Sequence, residues 1–487
     1  MITFNLVPND IRVPGSYVEF DASKALSGMP SVPLKILVIG QRLATGAVAA
    51  LTPVRITNAA EAVAAFGRGS MLAMGIAALK AVNDKTECWA IGLADDGAAV
   101  AAAGTITVTG PATAAGTIAL YIGGKRLTIG VASGDTANAI AAAIEAKIDA
   151  DLDLPVTAAV AGAVVTVTAR NKGTAGNDID IRHSYYQGEG LPAGTGLAIV
   201  AMAAGATNPD VGTVWPVIGD ERFDFVVLPF ADAATLNTAD AEMERRSGPQ
   251  VAVDGVAVAG YRGTLGNALA LGTTRNCEFT SIVASKSMPT HPFAFACAYY
   301  GVVAYHAAID PARPFQTLTV SGIVPPLLVD RFTAAEREQL LRDGLSTFTV
   351  DADGSVRIER PVTTYQTNPQ ALDDPSWLDL NIPLLLAAIR RVWRIRYSTR
   401  YPRHKLANDG AAFGSGQAVI TPRAAAAENV SIYRDLEEAG WVDDIEGFKR
   451  DQLVERDATD RSRLNMLLPV RLIGAFRVMA AKIEYRL

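Results

Sequence analysis

The stretch Phe223-Asp224-Phe225-Val226-Val227-Leu228-Pro229-Phe230 constrains the fold more than any other part of the chain. It is short, nearly all apolar, and followed at once by a helical pattern. A strand with one wet face alternates apolar and polar residues, whereas a parallel strand sandwiched between helices does not. Four further stretches read the same way: Ile36 to Gly40, Cys88 to Leu93, Val251 to Val258 and Phe279 to Ala284. Helical patterns lie between them, so the expected centre is an α/β layer of βα units with right-handed crossovers.

The remaining segments attach to that layer. Residues 1–33 read as an extended arm: Ile2, Phe4 and Leu6 alternate with polar neighbours, several prolines interrupt any helix, and Tyr17 to Phe20 form a short strand. Such a segment cannot satisfy its own backbone and must lie along something else, in this subunit or another. Residues 34–100 hold the first part of the layer, with a helix opened by Asn58-x-x-Glu61 and running to Phe66, and a second from Ser70 to about Val82. From 101 to 205 the composition turns to Thr, Val, Ala and Gly. Strands are predicted at Thr105 to Thr109, Thr117 to Ile122, Arg126 to Val131, Val156 to Val160 and Val164 to Ala169, with a hairpin turn at Gly123-Gly124 and one helix from Thr136 to Ala150. This is an inserted, β-rich peripheral domain whose two ends should lie close together.

The layer resumes over 206–365, with helices at Ala231 to Ser247, Thr264 to Leu271 and Phe293 to Ala308. A capping box at Thr333-x-x-Glu336 opens another helix that stops at Gly344, and Ser346 to Val350 forms a hairpin with Val356 to Arg360. Residues 366–487 form a C-terminal α+β domain with helices at Ile382 to Arg400 and Ser431 to Gly440, ending in a strand-like arm over 476–487. In the arm, Ile483, Tyr485 and Leu487 fall on one side and Lys482, Glu484 and Arg486 on the other, with Val478 at its start. A strand with that alternation is built to pair, at home or with a neighbour's open sheet edge.

With 487 residues, size does not limit stability, and a net charge of −6 gives no overall reason to expect nucleic acid or an anionic membrane as partner. The N-terminus lacks a basic region followed by an apolar core, so no signal peptide is expected. Cys88, Cys277 and Cys297 have no metal-ligand spacing and sit in apolar strand or helix patterns, as buried thiols do. Gly67-Arg68-Gly69 and Gly194-Thr195-Gly196 begin like dinucleotide loops, but Leu72 and Ile199 stand at the third glycine position. Gly124-Lys125 is no phosphate loop, with Ala119 upstream and Arg126 downstream. No Gly-x-Ser-x-Gly occurs, and His183, His291, His306 and His404 are scattered. The expectation is a non-enzyme with neither cofactor nor metal; the rivals are an α/β hydrolase, and a carbohydrate- or cell-binding protein that the Thr/Gly-rich insertion alone would fit.

One constellation stands out. Arg390, Arg391, Arg394, Arg396, Arg400, Arg403 and Lys405 crowd together, interleaved with Trp393, Tyr397 and Tyr401. A nucleic-acid groove would use this mixture. Leu385, Ile389, Val392 and Trp393 nevertheless make an apolar helical stripe, which leaves the arginines as the solvated or intramolecularly paired face of a packed helix, or as a charged interface with an acidic stretch of another subunit such as Asp435, Glu437, Glu438, Asp443, Asp444 and Glu446.

Read in order, Arg12-Val13-Pro14-Gly15-Ser16-Tyr17-Val18-Glu19, Trp89-Ala90-Ile91-Gly92-Leu93, Gly123-Gly124-Lys125-Arg126, Glu359-Arg360-Pro361-Val362-Thr363-Thr364-Tyr365, Tyr401-Pro402-Arg403 and the closing strand resemble the contractile tail sheath family of bacteriophages, most closely its Mu-like branch. The resemblance implies a structural protein with a subtilisin-like core topology but no protease chemistry to carry over. It implies stacked hexameric rings around a tail tube, interlocked by both terminal arms and contracting during genome ejection. The implied partners are other copies of the chain, the tube protein, and baseplate and tail terminator proteins, with no nucleic acid and no membrane insertion. The implied location is the virion, after assembly in the host cytoplasm; a headless bacteriocin or secretion-type particle is the alternative.

Overall fold

The computed structural model describes residues 33–414 and 416–485, together with residue 15. Ile2, Phe4, Leu6, Tyr17 and Leu487 therefore lie outside the described residues. Contacts divide the chain into two units, one formed by Pro33–Ala388 with the final stretch from Ala475, the other by Ile389–Gly474.

The first unit is organised by an eight-stranded sheet. Its first part comprises β1 (Lys35–Gln41), β2 (Pro53–Ile56), α1 (Ala59–Phe66), α2 (Met71–Val82) and β3 (Glu87–Leu93). Asn58 accepts from the Glu61 amide at 3.0 Å to start α1, while the Glu61 carboxylate reaches one residue further back than a capping box requires, to the Thr57 amide. Ser70 caps α2 by accepting from the Ala73 amide.

After the insertion come α4 (Trp215–Ile218), β11 (Phe225–Val227), α5 (Ala233–Ser247), β12 (Val256–Arg262), α6 (Leu265–Gly272), β13 (Thr280–Ser285), α7 (Pro292–Ile309), α8 (Ala334–Arg342), β14 (Leu345–Val350) and β15 (Val356–Arg360). The sheet order is β15-β14-β13-β12-β11-β1-β3-β2. The six strands from β14 to β3 run parallel, with Ile36 facing Phe225 on one side and Cys88 on the other. Ile36, Leu37, Val38 and Ile39 are consecutive and at most 1% exposed, so both faces of the layer are covered.

β12 begins at Val256 rather than at Val251, because Ala252 takes a φ of +49°, a left-handed conformation that no strand contains. α7 is apolar on all sides and nearly all buried, the pattern of a core helix. It packs against α2, where Gly75 lets the helices approach: a Cβ there would lie 2.3 Å from the Phe293 ring. The capping box at Thr333 is complete in both directions, and Gly344 follows α8 with φ +71°.

The insertion has its own hydrophobic cluster, built on Ile106, Ile118, Leu120, Ile129, Ile144, Val165 and Val167. β4 (Ala103–Thr109), β5 (Gly116–Ile122), β6 (Lys125–Val131), α3 (Ala137–Ala150), β7 (Val156–Ala161), β8 (Val164–Ala169), β9 (Ile181–His183) and β10 (Gly196–Ala203) make two antiparallel sheets, ordered β10-β4-β8-β7 and β6-β5-β9. Gly123 and Gly124, at φ +57° and +86°, form the tight turn between β5 and β6. Val100 and Ala206 exchange hydrogen bonds of 3.0 and 3.2 Å, which brings the two ends of the insertion together.

The second unit contains most of α9 (Asn381–Arg400), then β16 (Lys405–Leu406), β17 (Val419–Ile420), α10 (Pro422–Glu438), α11 (Ile445–Asp451), β18 (Leu453–Arg456) and β19 (Leu464–Leu467). α10 begins nine residues before Ser431, where the sequence pattern had placed it: Thr421 caps the helix by accepting from the Ala424 amide, and Pro422 occupies its first turn.

Candidate functional site: the basic helix, the open hairpin and the C-terminal arm

In the second unit the apolar stripe of α9 buries Ile389, Val392 and Trp393. The Trp393 indole donates to Asn429 Oδ1 at 3.2 Å, and the Tyr397 hydroxyl donates to the same oxygen at 2.8 Å. Tyr433 stacks on Phe448 with ring centres 4.1 Å apart, closing a small aromatic core.

Beside that core, Glu428 is 5% exposed and accepts from three groups: Arg400 at 2.6 Å, the Tyr401 hydroxyl at 3.0 Å and Arg396 at 3.4 Å. Arg396 also pairs with Asp435. Burial raises the Tyr401 phenol above its ordinary value, and Glu428 adds to the effect. The structure thus joins part of the basic constellation to an acidic face of its own chain, and Asp435 is taken up at home. Lys405 bonds Gln417 at 3.1 Å, while Arg403 is exposed. Arg390, Arg391 and Arg394 are engaged as well. Sequence reasoning missed Glu428; the signal was its seven-residue spacing from Asp435, which places both carboxylates on one face of a helix once α10 is started at Pro422.

β18 and β19 pair only with each other, with Leu453 and Leu467 exposed, so this two-stranded ribbon has open outer edges among the described residues. In the first unit, the stretch from Val478 to Tyr485 forms no strand, and Val478, Ile483 and Tyr485 are 81%, 88% and 82% exposed.

The three buried thiols are held protonated. Burial pushes the Cys88 thiol up to about 11, and raises Cys277 and Cys297 further still. Cys277 is a buried residue of a partly exposed loop rather than of a strand or helix. His183 Nδ1 is 3.0 Å from Ser184 Oγ, but among the described residues no carboxylate is hydrogen-bonded to that ring. Ser281 and Ser346 bond Tyr300 or the Val362 carbonyl in a closed buried network. Glu244, Cys277 and Glu278 place three donor atoms within 4.8 Å of one another; burial raises the Cys277 thiol, and burial with Glu278 raises the Glu244 carboxyl.

The whole chain has known relatives. Residues 96–197 match the phage tail sheath protein beta-sandwich domain, 204–364 the phage tail sheath protein central domain and 373–486 the phage tail sheath C-terminal domain. The chain belongs to the contractile phage tail sheath family, and its relatives there are structural proteins. It is 40% identical over 484 residues to the Mu-like prophage FluMu tail sheath protein of Haemophilus influenzae, covering 99% of both chains. A sheath tail protein from Desulfitobacterium hafniense has a similar fold, with a TM-score of 0.50 at 15% identity over 95% of this chain and 97% of that one. One from Listeria innocua aligns with a TM-score of 0.48 at 14% identity over 93% and 95%.

Proposed function

We propose that this chain polymerises as stacked hexameric rings around a tail tube and contracts to drive the tube through a host envelope. Baseplate and tail terminator proteins are its further partners, and the virion is its place after assembly in the host cytoplasm. The observation that carries this reading is the run from Val478 to Tyr485: Val478, Ile483 and Tyr485 are more than four-fifths exposed, on a backbone without a strand partner in its own chain among the described residues. A strand of that alternation completes a neighbour's sheet through main-chain hydrogen bonds, and the ribbon of β18 and β19 offers the edges. Leu487 extends this arm, and Ile2, Phe4, Leu6 and Tyr17 belong to the second one.

Head-to-tail donation of this kind is heterologous and generates an open helical array. Contraction then needs no nucleotide. A subunit held in an extended lattice relaxes into a shorter one whose contacts are better satisfied, and a few kcal/mol per subunit, repeated along the tail, supplies the work. Arg390, Arg391, Arg394, Arg403 and Lys405 serve protein contacts in that lattice, and the carboxylates that already hold Arg396 and Arg400 favour this over a nucleic-acid groove. The domain reading is an arm over 1–33, a core in two parts around a peripheral insertion at 101–205, and a C-terminal domain from 366; the insertion's separate hydrophobic cluster supports it. The parallel layer supports a subtilisin-like core topology.

The test is negative-stain microscopy of the purified protein, alone and with its tube protein. Hollow tubes are expected. Monodisperse monomer across salt and protein concentration in both preparations would refute the reading.

A further inference from the structure

Between two exposed neighbours, one side chain of the C-terminal stretch turns inward. Phe476 is 74% and Val478 81% exposed, whereas the Arg477 side chain is only 10% exposed. Its Nη2 donates to Asn381 Oδ1 at 2.9 Å and lies 3.2 Å from Asp379 Oδ1. Both partners are fixed from behind. Asp379 receives a two-pronged pair from Arg360 of β15, at 2.9 and 3.2 Å, and Asn381 donates to the carbonyls of Pro311 and Arg313 at 2.9 and 2.8 Å. Asn381 is the first residue of α9 and Asp379 lies two residues before it, so Arg477 meets the chain where that helix begins.

From this geometry we infer that Arg477 is a clasp that roots the C-terminal arm on β15 of the main sheet. Tension on residues 478–487 passes through Arg477, Asp379 and Arg360 into the eight-stranded layer instead of running back through residues 389–474. Buried guanidinium groups without full pairing are expensive, and among the described residues the Nε and Nη1 of Arg477 have no hydrogen-bond partner. A side chain held at such cost among exposed neighbours marks a position with a task. The inference rests on the arm reading above for its purpose, although not for its geometry.

Chymotrypsin digestion of the unassembled full-length protein tests it, because the bond after Phe476 lies directly before the clasped residue. The wild type should be cut slowly there and readily after Tyr485. Arg477→Ala should speed cleavage after Phe476 by about tenfold while the thermal melt still reports a folded protein, and Arg477→Lys, which keeps the charge but not the fork, should fall between. Cleavage in both variants at the wild-type rate would overturn the clasp, even if the wild type forms tubes. If the wild type forms none, the arm reading fails, and the digestion still decides the clasp.

Discussion

Asn171 ties the insertion to the core layer, and replacing it tests how the two are joined. Its side chain is in a residue only 8% exposed and makes three bonds: Oδ1 accepts from the Met71 amide at 2.9 Å, and Nδ2 donates to the Arg42 carbonyl and to Asp95 Oδ1, each at 3.1 Å. Met71 opens α2 and is itself buried, so no water waits to replace the lost acceptor. Each such bond contributes about 0.5–1.5 kcal/mol net, and a buried donor left alone costs about 1–3 kcal/mol, so Asn171→Ala should destabilise the first unit by roughly 2–4 kcal/mol. For a unit of this size that corresponds to a fall in Tm on the order of 3–5 °C. Because neither the cluster of the insertion nor that of the layer loses an apolar contact, the loss should concentrate at the junction. Hydrogen exchange should rise first at the start of α2 and around 170–172, ahead of the β5 and β6 amides. Asn171→Asp keeps the acceptor for Met71 but sets a carboxylate against Asp95, and should recover little of the loss at neutral pH. A Tm within about 1 °C of wild type for Asn171→Ala, or exchange rising uniformly through the insertion, would refute the reasoning.

Deleting 478–487 should leave the melt of the subunit nearly unchanged and abolish tube formation; a large fall in Tm, or normal tubes, would count against the donated arm. Gly75→Ala should destabilise by about 1–3 kcal/mol in a thermal melt despite alanine's better helix propensity, since the new methyl meets Phe293 and Cys297 Sγ, at 2.3 and 2.9 Å. An unchanged melt would mean that α2 and α7 are less closely fitted than they look. His291 is buried, with Nδ1 accepting from the Phe293 amide and Nε2 donating to the Ala175 carbonyl. Burial holds its pKa below the ordinary 6.5, opposed by Asp178 and the Ala175 carbonyl and aided by Arg262, so the unfolded chain binds the proton more readily. That part of the stability is complete above 6.5 and is lost as pH falls below it, and His291→Gln should flatten the pH dependence of the melt in that range.

The parallel layer was legible because continuous burial removes the alternation that other strands show, and β1, β3, β11 and β13 lie where apolar runs fall. Helix starts were legible at several side-chain caps, as at Ser70, Thr136 and Thr333. What escaped were elements whose reason is tertiary. β2, with Pro53 and the exposed Arg55, is a strand only because β3 lies beside it. β9 is three residues long, and β10 carries exposed apolar residues such as Val200 that mimic a loop. The alanines that open α10 carry no apolar stripe, so only its later part, from Ser431, is legible as a helix. Among candidate site residues, the basic run was plain in the sequence. Its partners were not, because a buried Glu428 differs from a solvated one only by what packs around it.

Folding and assembly draw on different edges of this chain. The main sheet has little left to offer a neighbour. The outer edge of β15 is taken by residues 317–320, through bonds of 2.8 Å from the Thr317 and Val320 amides and 2.9 Å to the Leu318 carbonyl. At the far side β2 is four residues long, starts with a proline and exposes an arginine, the features by which natural sheets blunt an edge. The unspent pairing capacity lies instead on the ribbon of β18 and β19, and on the run after Arg477, where Phe476, Val478, Met479, Ile483 and Tyr485 are each at least 74% exposed. Burying an apolar side chain of this size is worth about 1.5–3 kcal/mol. The contribution is unavailable to the lone subunit and recurs wherever a neighbour accepts the arm. Under the proposed reading, a fold that completes its layer internally and leaves its exposed apolar residues on one outlying segment would be stable before it polymerises, and would keep its subunits linked while the lattice around that layer rearranges.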